Sequence, residues 1–427
     1  MTRLEPKLAI CALTVCLLLP SLSRAMTFLY TGQARSSLYS YEHLHHDDLA
    51  ESDENYRFYQ YLRLKLKGVG EKNSVSFNTY MRLSDDLSVD YSSDPNWRMY
   101  NAYLQWDTRG GKLSVGRQWL HLGPGSMTLD GVKLELSKSP KFKFTGYVGS
   151  ESPFSRKFDS RGYDRAGSGG LYVRVKPVSE LTIGAGWYQK NRYGETAFRE
   201  FGVNADATLP NGFKLYSRLD FNMLTDQIQK GQVRLRYQGH KKFNFFGEFK
   251  HYQPRLFYQS YYRRKFEPEG NNQLRGGVNI FLKNEVSLNA SYSSIMMEDE
   301  TSGYLTLGAS GPYGWANYYM GHGFGGDEDG FALGGSLPLA HHKFELFGTF
   351  DYSRFRYYEL DNESDRDYLF STIFGMHWKP SEVVEAGIEF EDVNNDMFGK
   401  DWRVLINLNV NFTSAFRHTT SMGHENH

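Results

Sequence analysis

The most constraining feature of this chain is a period-two alternation of apolar and polar residues that recurs from Thr27 to Phe412. Over 402–412, Trp402, Val404, Ile406, Leu408, Val410 and Phe412 share one parity, while Arg403, Asn407, Asn409 and Asn411 share the other. Over 344–352, Phe344, Leu346, Phe350 and Tyr352 oppose Glu345, Thr349 and Asp351. Over 232–238, Val233, Leu235 and Tyr237 oppose Gln232, Arg234, Arg236 and Gln238. Successive side chains of a strand point to opposite faces, so each stretch predicts a strand with one greasy and one wet side.

Turn residues punctuate the alternation. Gly70-Glu71-Lys72-Asn73, Arg109-Gly110-Gly111, Ser139-Pro140-Lys141, Pro177-Val178-Ser179, Pro210-Asn211-Gly212, Gly239-His240-Lys241, Lys283-Asn284, Gly311-Pro312-Tyr313, Ala340-His341-His342 and Lys379-Pro380-Ser381 carry the backbone angles that tight reversals need. Ten short turns imply about eleven hairpins and about 22 strands, with a range of roughly 18 to 22 because 122–130 and 224–230 read equally as loops, bulges or strand continuations. Longer polar connections around 43–55, 85–96, 150–167, 253–271 and 354–366 are expected on the opposite, extracellular side.

A soluble two-sheet sandwich alternates in the same way. Two features favour a barrel: aromatics sit near segment ends, as at Trp106, Tyr237, Trp378, Trp402 and Phe412, and charges occur on the wet face of nearly every stretch. Aromatic residues make up 16% of the chain, yet mean hydropathy is -0.57. Apolar side chains shown to lipid and polar ones to a wet lumen produce that combination. The expected fold is all-β: a single transmembrane antiparallel β-barrel with short periplasmic turns and longer extracellular loops.

The first residues set the compartment. Arg3 and Lys7 precede an apolar run from Leu8 to Leu19, Pro20 breaks it, and Ser23-Arg24-Ala25 offers small residues for cleavage. This is the order of a secretory signal peptide, and the run is shorter than the roughly 20 residues of a membrane-spanning helix. Leu13-Thr14-Val15-Cys16 resembles a lipidation site, but Val15 is large for the position before the cysteine, and the site lies inside the apolar run. Cleavage is expected after Ala25, leaving a barrel over 26–412 and a polar periplasmic tail over 413–427. Both cysteines, Cys11 and Cys16, fall in the leader. The mature chain would then have no thiolate metal site and no Cys-x-x-Cys-His haem attachment, and no cofactor is expected. The balance of 49 basic and 49 acidic residues argues against nucleic acid as a partner.

Inward side chains set what passes through a barrel. The basic candidates are Arg63, Lys65, Arg174, Lys176, Lys214, Arg218, Arg234, Arg236, Arg275 and Arg403, with Tyr172 beside them. The acidic candidates are Glu135, Asp220, Glu248, Glu345, Asp351, Glu385 and Glu389. Basic positions crowd the middle strands and acidic ones the last few. Such separation either creates a transverse field or pairs off locally, and sequence leaves both open.

Glu42-His43-Leu44-His45-His46-Asp47-Asp48 has metal-type ligands, but in a loop without a fixed geometry it reads as solvated. The two His of His424-Glu425-Asn426-His427 lie in the tail and are assigned no role. Residues 252–266 mix Tyr, Phe, Arg and Lys, which suits a partner contact, an anchor on lipopolysaccharide phosphates or an inward-folded constriction. No Gly-x-Ser-x-Gly, His-Glu-x-x-His or P-loop pattern is present, and an enzyme is not expected; an outer-membrane hydrolase is the weakest reading.

Leu113-Ser114-Val115-Gly116-Arg117-Gln118, then Leu129-Asp130-Gly131-Val132-Lys133-Leu134, and the terminal strand Val404 to Phe412 ending in an aromatic, resemble elements of Gram-negative outer-membrane porins. Alginate-export-like and phosphate-selective-porin-like barrels are among them. The terminal aromatic of such barrels usually ends the chain, whereas here Thr413 to His427 follow. The resemblance implies an outer-membrane channel for ions or small polar solutes, with outer-membrane lipid, lipopolysaccharide and the barrel-assembly machinery as partners. Phe412 is the implied assembly signal, expected to close the last strand on Phe28 and Tyr30. Strict alternation puts Arg117 on the lipid face, so a bulge is expected to turn it inward. A barrel of about 22 strands is wide and usually plugged, yet strands begin directly after the leader. Either loops narrow the lumen or another protein fills it. The second case resembles the barrel of porin-cytochrome complexes, which sheathes a multihaem cytochrome for electron transfer.

Overall fold

Ten tight reversals, nine of them Gly-, Pro-, Ser- or Asn-containing and the tenth turning at Ala340 and His341 with φ 47° and 56°, bring successive alternating stretches side by side and leave their backbone groups only one another to bond. Asn211 and Gly212, at φ 61° and 82°, show the left-handed backbone such a turn demands. The computed structural model of the protein describes residues 27–44, 52–88, 95–157, 159, 161–265, 269–324, 326–341, 343–356, 367–395 and 399–414. The leader, the greater part of the Glu42 to Asp48 cluster and the tail beyond Ser414 lie outside the described residues.

The strands are β1 (Thr27–Leu44), β2 (Ser52–Val69), β3 (Ser74–Asp86), β4 (Asn96–Thr108), β5 (Gly111–Leu122), β6 (Gly125–Ser139), β7 (Phe142–Glu151) and β8 (Gly167–Val178). They continue as β9 (Leu181–Arg192), β10 (Glu195–Thr208), β11 (Phe213–Asn222), β12 (Gln227–Tyr237), β13 (Phe243–Tyr252), β14 (Asn271–Phe281) and β15 (Ser287–Met296). The last are β16 (Thr301–Ser310), β17 (Gly314–His322), β18 (Asp327–Leu339), β19 (Phe344–Arg356), β20 (Asp367–Trp378), β21 (Val384–Asn395) and β22 (Gly399–Thr413). Each pairs antiparallel with the next, and β22 pairs with β1 from Thr31↔Thr413 to Tyr41↔Arg403. The sheet is a closed 22-stranded barrel with no free edge. Two short helices, α1 (Tyr163–Ala166) and α2 (Tyr261–Lys265), lie in far-side connections.

Register decides which side chains share a face. On the convex face side chains splay apart: Ile406, Leu408 and Val233 are 46%, 44% and 49% exposed. On the concave face they crowd, and Asn407 and Gln232 are buried. The outside is therefore a continuous apolar surface with aromatics near strand ends, including exposed Trp106 and Trp378 and the cluster Phe213, Tyr237 and Phe245. Each ring placed outward removes apolar area from water only if lipid or detergent covers it, which is the energetic signature of a membrane barrel.

The buried apolar residues lie inside the barrel. Leu120, Met127, Leu129, Tyr147, Tyr188, Ala197 and Phe198 form one cluster. Its origin is the segment 118–130, where β5 and β6 run through what sequence left as loop, bulge or strand and are joined by Gly123 and Pro124 alone.

Closure differs from expectation in register. Phe412 stands opposite Gly32, and the hydrogen bonds to Tyr30 come from Ser414. The ring fills the space a side chain at position 32 would take, since a β-carbon there would meet Phe412 Cε2 at 2.2 Å. The closing strand therefore runs to Thr413, one residue beyond the expected barrel boundary.

Candidate functional site: an inward-folded hairpin and a charged inner wall

The β5–β6 hairpin leaves the wall at a pair of glycines. Gly116 and Gly131 are register partners, and Gly116 has φ 124°. A β-carbon on Gly131 would meet the Val148 carbonyl of β7 at 2.3 Å and one on Gly116 the Ala102 carbonyl of β4 at 2.4 Å, so the hairpin approaches both flanking strands closely only without side chains here. One residue past this pair, Ala102↔Arg117 is the last register partnership of β5 with β4.

Arg117 keeps the outward parity that alternation assigns it. The expected bulge does not rotate this side chain inward; the whole hairpin bends, and residues 152–157 and Asp159 cover its back. Arg117 donates from Nε and Nη2 to both oxygens of Asp130, at 2.7 and 2.8 Å, and also to the carbonyls of Met99, Lys157 and Asp159. A two-pronged ion pair with carbonyl acceptors around it satisfies a guanidinium that is 7% exposed. Arg156 ties the same segment to β4 through its carbonyl, which accepts from Met99 N at 2.8 Å.

The hairpin tip reaches the opposite side of a chord across the barrel. Arg218 Nη2 donates to the Gly123 carbonyl at 2.8 Å, and Arg255 Nη2 to the Pro124 carbonyl at 2.8 Å. Both guanidiniums are held by buried carboxylates: Arg218 by Asp220 at 2.7 Å and Arg255 by Glu200 at 2.6 Å. Pro124 seats in a notch made by Gly186 and Gly202, register partners on β9 and β10. A β-carbon would come within 3.4 Å of Pro124 at the first and 3.0 Å at the second. The connection after β13 also turns inward, with Phe257 against Phe198 at 5.1 Å and Arg192 over the Phe257 ring at 4.6 Å. The described part of residues 252–266 folds inward, against β9, β10 and the hairpin tip.

By register, all seventeen charged candidates lie on the concave face. Their surroundings differ. Arg218 and Asp220 belong to the clamp. Arg174, Lys176, Arg234 and Arg236 lie toward the short turns, and Lys176, Lys214, Arg234 and Arg236 line a groove of about 500 Å³. Arg234 is paired with Glu248, which Lys250 also approaches at 2.7 Å; Arg275 stands opposite Glu248 and over the Phe246 ring at 5.5 Å. Glu135 is held by Lys133 and Lys143. Lys65 and Arg63 sit on the β2 wall.

On the acidic side, Asp351 accepts from Tyr319 Oη at 2.7 Å, and Glu345 stands opposite His377. Glu385 and Glu389 lie 3.4 Å from Lys379 and 3.8 Å from His377. Arg403 pairs with Asp401 at 2.7 Å. Ion pairs thus form locally, within one strand at Arg218–Asp220, Lys250–Glu248 and Arg403–Asp401 and between neighbouring strands at Arg234–Glu248 and Lys143–Glu135.

Sequence reasoning missed Glu200 and the clamping use of Arg255, because contacts 55 and 131 positions apart leave no local pattern. It also passed over Tyr39, Tyr59, Tyr61, Tyr80 and Tyr100, which stack along the inner wall of β1–β4 with centroids from 4.7 to 6.4 Å apart. Their parity with Arg35, Arg57 and Arg63 was the available signal.

No protein-family model matches the chain, and no curated protein matches it in sequence. Solved structures match it along most of its length. OccAB4 of Acinetobacter baumannii is 11% identical, with 91% of this chain and 99% of that one covered and a TM-score of 0.44. OccK3 (OpdO) of Pseudomonas aeruginosa is 11% identical, with 90% and 96% covered and a TM-score of 0.41. The outer membrane protein opdK of Pseudomonas aeruginosa is 8% identical, with 91% and 99% covered and a TM-score of 0.41. At this distance, what the barrel does is read from its own walls.

Proposed function

We propose that this chain is an outer-membrane channel that admits ions and small polar solutes along a lumen narrowed from within by the β5–β6 hairpin. One observation carries the reading: a closed barrel, apolar outside and charged inside, whose hairpin cuts a chord from β5–β6 to β11 and leaves the inner walls of β12–β22 and β1–β4 facing water. Barrels of 16 to 18 strands already leave an aqueous channel, so a wider one with a chord removed still conducts, but through a smaller and more selective opening. Side chains at such an opening set which charge passes.

The reading also favours a channel over a sheath. A guest protein such as a multihaem cytochrome would compete for space with the clamped hairpin.

Purified protein in a planar bilayer tests the proposal. Stable ohmic current is expected, and Arg234→Gln with Arg236→Gln should shift preference toward cations. A folded, inserted and silent protein would count against it.

A further inference from the structure

The inner wall of β1, β2 and β22 carries two guanidiniums that face neutral side chains across the strands, with the cation Lys65 next to Arg63 along β2 and no carboxylate among their register partners. Arg35 stands opposite Tyr61 on one side and Asn409 on the other. Arg63 stands opposite Gln33 and Tyr80. Both arginines are exposed to the lumen, and among the described residues neither has an ion pair. Elsewhere on the inner wall Arg57, Arg218, Arg234 and Arg403 each have a carboxylate partner. The acid closest along this register, Glu385, lies a full strand beyond Asn409 and beside Lys379.

These two guanidiniums share one concavity of about 510 Å³, lined also by Tyr39, Tyr59, Tyr61 and Asn409. They sit diagonally across a strand pair, at about 7–8 Å in an antiparallel ladder, a span both side chains can close onto one ligand. The surrounding tyrosines are braced: Tyr61 stacks on Tyr80 at 6.3 Å and Tyr80 on Tyr100 at 4.7 Å, with Arg63 over the Tyr80 ring at 4.9 Å. Ring stacking holds the phenols and Arg63 in place, so little ordering cost remains for a ligand. The groove thus offers planar cationic forks, phenols and amides, and presents no carboxylate.

We propose that this groove is a binding step for a small oxyanion, held between Arg35 and Arg63 on the open side of the lumen, away from the hairpin clamp. The guanidinium fork matches the two-oxygen edge of a carboxylate or a phosphate, and either chemistry would relieve the mutual repulsion of the two cations. The proposal rests on the channel reading for its place in a passage, but binding itself does not require conduction.

The test is calorimetric titration of the folded protein in neutral detergent with inorganic phosphate and, separately, with succinate at low ionic strength. Saturable binding of at least one is expected, and the pair of titrations tells which oxyanion the site takes. The Arg35→Gln, Arg63→Gln variant should bind about tenfold more weakly or worse, the loss expected for charge-assisted hydrogen bonds. Should the double variant lose heat-modifiable migration on gels, the single R35Q and R63Q variants make the same comparison. No saturable heat with either anion, or unchanged affinity in the folded variants, overturns the site. A chloride current measured in parallel reports on the channel reading alone, so the two failures stay distinguishable.

Discussion

Arg255 donates from Nη2 to the carbonyl of Pro124 at 2.8 Å, joining residues 131 positions apart across the interior of the barrel. The same guanidinium holds Glu200, whose side chain is fully buried. Arg255→Ala would leave that carboxylate without its partner and free one side of the hairpin tip. Urea unfolding in detergent should show a loss of about 3–5 kcal/mol, the usual cost of an uncompensated buried charge. Adding Glu200→Gln should recover part of that stability while leaving the tip unclamped. Equal stability of wild type and Arg255→Ala would mean the clamp contributes nothing.

The seat of Pro124 gives a second expectation. A side chain at Gly202 would press on Asp220 Oδ1 at 2.5 Å and on Pro124. Gly202→Val should displace the tip, raise conductance by roughly twofold or more, and let larger neutral polymers enter, because the chord no longer closes. Unchanged polymer exclusion would place the constriction elsewhere.

At the hinge, Gly131→Ala brings a β-carbon to 2.3 Å from the Val148 carbonyl. Backbone cannot yield as a side-chain tip can, so the expected outcome is poor assembly, read as a fall in the heat-modifiable fraction on gels. Gly110→Ala, with open space around it, should assemble normally. Similar behaviour of both variants would remove the steric account of the bend.

Much of the barrel was legible in sequence because both of its determinants are local. Nine of the ten turns hold Gly, Pro, Asn or Ser, the exception being Ala340-His341-His342, and the parity of Arg234 against Val233 fixes a face with no tertiary information. What was not legible depends on where a strand goes after it leaves the wall. Residues 122–130 read equally as loop, bulge or strand continuation, and only the Gly116–Gly131 pair, read together with Pro124, marks an inward bend. Arg218 and Asp220 were found as inner-wall charges, yet their use as a clamp depends on a carbonyl 95 positions away. Phe412 was recognised as the closing aromatic, but register, set by pairing along eleven residue pairs with β1, put it over Gly32 instead of Phe28 and Tyr30.

That closure has its own consequence. Phe412→Ser should lower assembly, since the ring covers an otherwise bare glycine on the outer face. Truncation after Ser414 should be tolerated, whereas truncation after Thr413 removes the two hydrogen bonds between Ser414 and the Tyr30 backbone at 2.9 Å. A small loss of stability, about 1–2 kcal/mol, is expected from the shorter chain. Failure of insertion on removing only residues beyond Ser414 would assign the assembly signal to the tail.

Single-channel recording of the intact protein beside a variant in which residues 119–128 are replaced by two glycines tests the central claim most directly. The account predicts steady current through the intact barrel and a conductance about twofold higher or more once the chord is removed, with weaker charge selectivity. Silence of the folded, inserted wild type, or identical conductance in the two, would contradict a lumen that is open yet narrowed by its own hairpin.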